Sequence, residues 1–88
     1  MTFRSVCVVG AGRVGRAVAA RLGESLPTRT TGRELACDGA DLVVVCVPDR
    51  AIADVAEAIP TGAWIAHTSG ASGLSALDPH GRRFSLHP

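Results

Sequence analysis

Gly10, Gly12 and Gly15 carry the plainest chemical message in the chain. They are spaced Gly-x-Gly-x-x-Gly between an apolar β-type run, Val6 to Val9, and a helical pattern that begins at Arg13. In that setting each glycine has a physical task. Gly10 permits a sharp turn off the strand, Gly12 lets a phosphate approach the main chain, and Gly15 lets the new helix lie close to the strand. The first turn of such a helix presents unpaired N–H groups and about half a positive charge, which suits an anion. The chemistry expected of residues 10–15 is therefore capture of a dinucleotide diphosphate, with the alternative of a glycine turn that holds no ligand.

Two further stretches could contribute. An NAD site usually places a carboxylate about 20 residues beyond the first glycine. That position falls at Thr30 and Thr31, and Arg29 and Arg33 flank it. Guanidinium forks and hydroxyls suit a 2′-phosphate, so NADP is expected, with NAD as the alternative and Glu34 and Asp38 as its available carboxylates. An ordinary solvated loop explains the arginines as well. Val47-Pro48 could lie against the nicotinamide ribose, or could simply end a strand before a helix. His67-Thr68-Ser69-Gly70 could border the reacting ring. His67 is a weak catalytic candidate, since a histidine with no visible partner is more often structural. Ser69 lacks the Gly-x-Ser-x-Gly elbow of a hydrolase. His80 and His87 are too scattered to form a metal site with His67, so no metal is expected.

The elements that would hold these residues alternate. Residues 3–9 read as a strand. Residues 13–23 read as a helix with Val14, Ala17, Val18 and Leu22 on its buried stripe, stopped at Gly23. Leu26 to Thr30 reads as a short or edge strand because it contains Pro27. Only about ten residues separate it from the next strand, so its crossover holds at most a turn or two. Leu42 to Val47 is a continuous apolar run, the pattern of a strand covered on both faces. Asp49 is placed to cap a helix over residues 50–58, with Ile52, Val55, Ala56 and Ile59 buried. Strands over 63–67 and 83–87 flank a short helix, Leu74 to Leu77. This order implies an α/β fold: a Rossmann-like parallel sheet of about five strands with helices on both faces, in one domain spanning 1–88. Ligands bind such sheets beyond the carboxyl ends of the strands.

Composition sets the outer limits. The chain has 88 residues, 47% apolar, with a net charge of +1 and nine basic residues, all arginine. That balance gives no reason to expect nucleic acid or an acidic membrane surface as partner. No apolar run approaches the ~20 residues of a membrane span, and no signal peptide is evident. Cys7, Cys37 and Cys46 are odd in number and have no metal-like spacing; Cys7 and Cys46 read as small buried hydrophobes, so disulfides are not expected and a reducing cytoplasm is. A complete dinucleotide domain usually has more strands, so a truncated N-terminal part is expected, with an apolar edge or helix face left for a partner.

Taken together, Val9 to Gly15, Ala40 to Asp49, His67-Thr-Ser-Gly70 and Leu86-His-Pro88 resemble the N-terminal domain of a two-domain bacterial family of NADP-dependent oxidoreductases. That family is similar to pyrroline-5-carboxylate reductases, prephenate dehydrogenases and the 6-phosphogluconate dehydrogenase-like group. The resemblance implies that Gly10, Ala11, Gly12, Arg13, Val14 and Gly15 line the pyrophosphate. It places Val47 and Pro48 beside the nicotinamide, and residues 67–70 at the cleft. It also implies hydride transfer to or from a small-molecule substrate, and a helical C-terminal domain that dimerises and completes the pocket. The alternative is a non-catalytic dinucleotide-binding or regulatory module.

Overall fold

The computed structural model describes residues 3–10 and 12–86. Five strands, β1 (Val6–Val9), β2 (Thr28–Thr31), β3 (Leu42–Val45), β4 (Trp64–His67) and β5 (Arg83–Ser85), form one sheet. Their order is β2-β1-β3-β4-β5 and every neighbouring pair is parallel. Helix α1 (Arg13–Gly23) joins β1 to β2, and α2 (Asp49–Ala58) joins β3 to β4. A 3₁₀ turn over Leu74–Leu77 precedes β5. The architecture is the α/β, Rossmann-like arrangement that the alternation of elements implies.

The period-two pleat sorts the strand residues onto two layers. Val6, Val8, Leu42 and Val44 pack under α1 with Val18. Val9, Val43, Val45 and Ile65 pack under α2 with Ile52, Ala56, Ile59 and Leu77. Both central strands, β1 and β3, are buried along their whole length. Side chains such as Ile52, Ile65 and Leu77, fully buried here, each contribute about 1.5–3 kcal/mol of burial energy.

β2 lies at the sheet edge, where the Pro27 argument places it. The passage from β2 to β3 contains no helix, only turns, and it crosses over β1. Leu35 and Cys37 of this crossover are partly buried against the α2-side core. At its end Asp41 accepts hydrogen bonds from the amides of Arg4 (2.7 Å) and Ser5 (3.0 Å). The Arg4 and Ser5 amides hold the Asp41 carboxyl below its ordinary range.

Several expectations are corrected. The β3 run ends at Val45, leaving Cys46 and Val47 beyond the strand. Asp49 is the first residue of α2 rather than its cap; Pro48 occupies the cap position with no side-chain bond. β5 ends at Ser85, and His87 of the expected strand lies outside the described residues. The buried residues of α1 are Gly15 and Val18, while Val14 is 49% exposed and Ala17 is exposed. Because Gly15 seats the helix against the first turn, the contact line runs through positions 15, 18 and 22. Val14 and Ala17 instead line an open apolar groove of about 580 Å³ with Val18, Leu22 and Leu86.

Candidate functional site

β1 passes to α1 on one face of the sheet and β3 passes to α2 on the other. The chain therefore parts at the carboxyl ends of these neighbouring strands, and a crevice opens there. It holds about 600 Å³, within the usual range for a ligand pocket. Its lining includes Gly10 and Gly12 from the first turn, Gly32, Arg33 and Leu35 from the crossover, and Val47, Pro48 and Asp54 from the β3–α2 side.

The glycines differ in what fixes them. Gly10 has φ +129°, and a Cβ there would fall 2.2 Å from the Cys46 carbonyl oxygen. A Cβ on Gly15 would fall 2.2 Å from the Gly10 carbonyl oxygen. Main-chain packing alone thus demands glycine at both positions. Gly12 is different: its φ is −78°, and among the described residues, its chain neighbours aside, a Cβ would meet nothing within 4 Å. Protein packing gives no reason for glycine at position 12, whereas a ligand approaching the main chain does. No side chain caps the start of α1, and its first turn holds no acidic residue. An anion there meets helix amides and no carboxylate in that turn. Ala11, the remaining residue of the expected cup, lies outside the described residues.

The expected phosphate clamp separates into two groups. Arg33 lines the crevice, and its guanidinium has no hydrogen-bond or ion-pair partner among the described residues. Arg29 turns to the crossover, where Nε donates to the Ala36 carbonyl (3.1 Å) and Nη2 to that of Asp38. Thr31 is buried; its hydroxyl donates to Glu34 Oε1 (2.8 Å) and accepts from the Ala36 amide (2.8 Å). Thr30 is exposed on the edge strand. The same Glu34 oxygen accepts from the Gly32 amide (2.8 Å). That amide, then Glu34's own, and then the Thr31 hydroxyl hold the carboxyl below its ordinary value. Glu34 is thus tied into the crossover turn.

Val47 and Pro48 line the crevice as expected, but Arg13 and Val14 line the α1 groove instead. His67, Thr68, Ser69 and Gly70 do not line the crevice. His67 is fully buried. Its Nδ1 accepts from the Ser69 amide (3.2 Å), so Nε2 carries the proton and donates to the Gly73 carbonyl (3.1 Å). Both ring nitrogens are thereby engaged. Ser69 Oγ accepts from the amides of Ala71 and Ser72 at 3.1 and 2.9 Å, closing the loop on itself. Thr68 reaches toward the crevice only indirectly, through a hydrogen bond to the Cys46 thiol. Burial raises that thiol, and the Thr68 bond partly offsets the rise.

Seven lining residues were not among the site residues expected from the sequence: Val9, Gly32, Leu35, Cys46, Ala51, Asp54 and Val55. Asp54 shares a helix face with Ala51 and Val55, which also line the crevice. The spacing 51, 54, 55 was the available signal. Leu35 adopts φ +49°, which sequence gave no reason to expect of a leucine.

Among the described residues no group of three or more His, Cys, Asp or Glu could hold a metal ion. No helix there is long and apolar enough to cross a membrane. No protein-family model matches the chain, and no curated protein matches it.

Proposed function

We propose that this chain is the dinucleotide-binding domain of an NADP-dependent oxidoreductase. The observation that carries the reading is Gly12, a glycine with no packing reason to be one, set at the uncapped start of α1 and on the wall of the switch-point crevice. A diphosphate linker fits that corner: the helix amides would bind its oxygens, and a side chain at position 12 would exclude it. Arg33 would reach the 2′-phosphate of the adenosine end, the feature that separates NADP from NAD. Val47 and Pro48 would form an apolar wall that keeps water from the nicotinamide end. The bound cofactor supplies the hydride chemistry toward a small metabolite, and the protein orients it. On this reading the substrate pocket is completed by a second domain or a second copy.

One observation favours the alternative, a non-catalytic dinucleotide-binding module. The ring nitrogens of His67 are both held by main-chain groups, and residues 68–70 stand outside the crevice lining. Parallel titrations with NADPH and NADH, monitored by nicotinamide fluorescence, test the binding reading. Saturable binding with NADPH preferred is expected, and equal affinity for the two would remove the phosphate role of Arg33. Oxidation of NADPH in the presence of small carbonyl or imine compounds would then decide between enzyme and binding module.

A further inference from the structure

The spacing of the cysteines gives no pairing, yet the fold brings two of them together. Cys7 lies on β1 and Cys37 on the crossover, 30 residues apart in sequence, with their sulfurs 2.7 Å apart. Both are free thiols. Cys7 occupies the pleat position between Val6 and Val8, so its side chain leaves the sheet on the α2 side, beneath the crossover. The crossover is pinned around Cys37. Arg29 holds the carbonyls of Ala36 and Asp38, the residues on either side, and Thr31 accepts the Ala36 amide. The Cys7 thiol also donates to the Ala36 carbonyl at 3.6 Å. Arg29, rather than serving the crevice, is thus part of a frame that aims Cys37 at Cys7.

We propose that Cys7 and Cys37 form a reversible redox pair, a disulfide that staples the β2–β3 crossover to the central strand under hydrogen peroxide. A disulfide bond is about 2.05 Å long, so closure needs less than about 1 Å of sulfur movement. Cys7 is fully buried and Cys37 only partly, which makes Cys37 the sulfur that meets the oxidant. The Cys37 thiolate attacks one peroxide oxygen; the O–O bond breaks, Cys37 becomes a sulfenic acid, and hydroxide leaves to take up a proton as water. The Cys7 sulfur then attacks the Cys37 sulfur; the S–O bond breaks, and the departing hydroxide takes the Cys7 proton as a second water. Two thiols are oxidised by two electrons and one peroxide is reduced to two waters. Burial, then the Cys7 hydrogen bond and charge, push the Cys37 thiol up to about 12. Oxidation is therefore slow at neutral pH and accelerates as pH rises toward that value. The crossover also carries Gly32, Arg33 and Leu35 of the crevice. Any effect of the staple on cofactor affinity rests on the dinucleotide reading, whereas the disulfide itself does not.

The test uses the full chain carrying Cys46→Ser, so that only the pair can react, treated with hydrogen peroxide at pH 7 and pH 9. The expected product is monomeric, loses about 2 Da, shows a Cys7–Cys37 cross-linked peptide, and returns to the starting mass with a reducing agent. Its midpoint of thermal unfolding should rise by about 10 °C or more, because the bridge closes a long loop. Formation should be faster at pH 9 than at pH 7. Cys37→Ser in the same background should abolish the mass loss. A product that only gains oxygen, a bridge between two chains, or a bridged chain no more heat-stable than the reduced one would overturn the proposal.

Discussion

Replacing Gly12 by alanine separates ligand chemistry from folding more cleanly than any other change in this chain. Residue 12 is the cap of α1, with φ −78° and ψ −172°, a conformation alanine adopts without strain. Among the described residues, its chain neighbours aside, the added methyl meets nothing within 4 Å. Two small terms then oppose each other. Restricting the unfolded chain stabilises by about 0.4–1 kcal/mol, and alanine is a poorer helix cap than glycine by up to about 1 kcal/mol. The net change in stability should fall within about 1 kcal/mol of zero, a shift of a few degrees in the unfolding midpoint. A diphosphate, by contrast, would be pushed off the main chain. Losing one charged hydrogen bond removes about 1.5–3 kcal/mol, and about 1.4 kcal/mol is tenfold in affinity, so NADPH should bind at least about 10-fold more weakly. Gly15→Ala is the contrasting control. Its Cβ would stand 2.2 Å from the Gly10 carbonyl oxygen, so backbone must move. It should lose about 1–3 kcal/mol or more of stability. Thermal unfolding and fluorescence titration of the two variants read both effects. A Gly12→Ala protein that folds and binds NADPH as tightly as the parent would refute the diphosphate argument.

Other expectations follow from the same geometry. Arg33→Ala should weaken NADPH binding while leaving NADH binding unchanged, whereas Arg29→Ala should lower the unfolding midpoint and spare the NADPH preference. The reverse pattern would return Arg29 to the crevice. His67→Ala, which deletes a buried ring bonded at both nitrogens, should cost about 2–4 kcal/mol in chemical denaturation. An unchanged denaturation midpoint would contradict its structural role. The carboxyls of Glu34 and Asp41 are both held below their ordinary values by main-chain amides. Their stabilising contribution is complete above the ordinary carboxylate range and fades as pH falls through roughly 4 and below. Stability measured from pH 6 to pH 2 should decline in that window, and less steeply in Glu34→Gln.

The elements whose cause is local were readable in the sequence. The glycine fingerprint and Gly23 bracket α1, and Pro27 sends β2 to the edge; the abbreviated helix expected between β2 and β3 is absent, and turns take its place. The unbroken apolar run at 42–47 marks a central strand, although the strand itself ends at Val45. What depends on distant atoms was not readable. Helical periodicity groups Val14 with Val18, but close seating of Gly15 turns Val14 out to solvent. Arg29 and Arg33 look equivalent as a cluster. Their roles diverge only because carbonyls at 36 and 38 fold back within reach of one of them. Cys7 and Cys37 meet only because the crossover lies over β1, and no spacing rule registers a contact of that kind. Asp54 was masked for the same reason. It sits on an ordinary polar helix position until the crevice beside it is known.

The most direct measurement is an amide-resolved NMR titration of the full chain with NADPH. Binding at the switch point should shift the amides of Gly10, Gly12 and the first turn of α1, together with those of Arg33 and Val47, in a saturable, one-to-one manner. Amides that stay still at the start of α1 while NADPH is added, or shifts confined to another face of the sheet, would contradict the central claim.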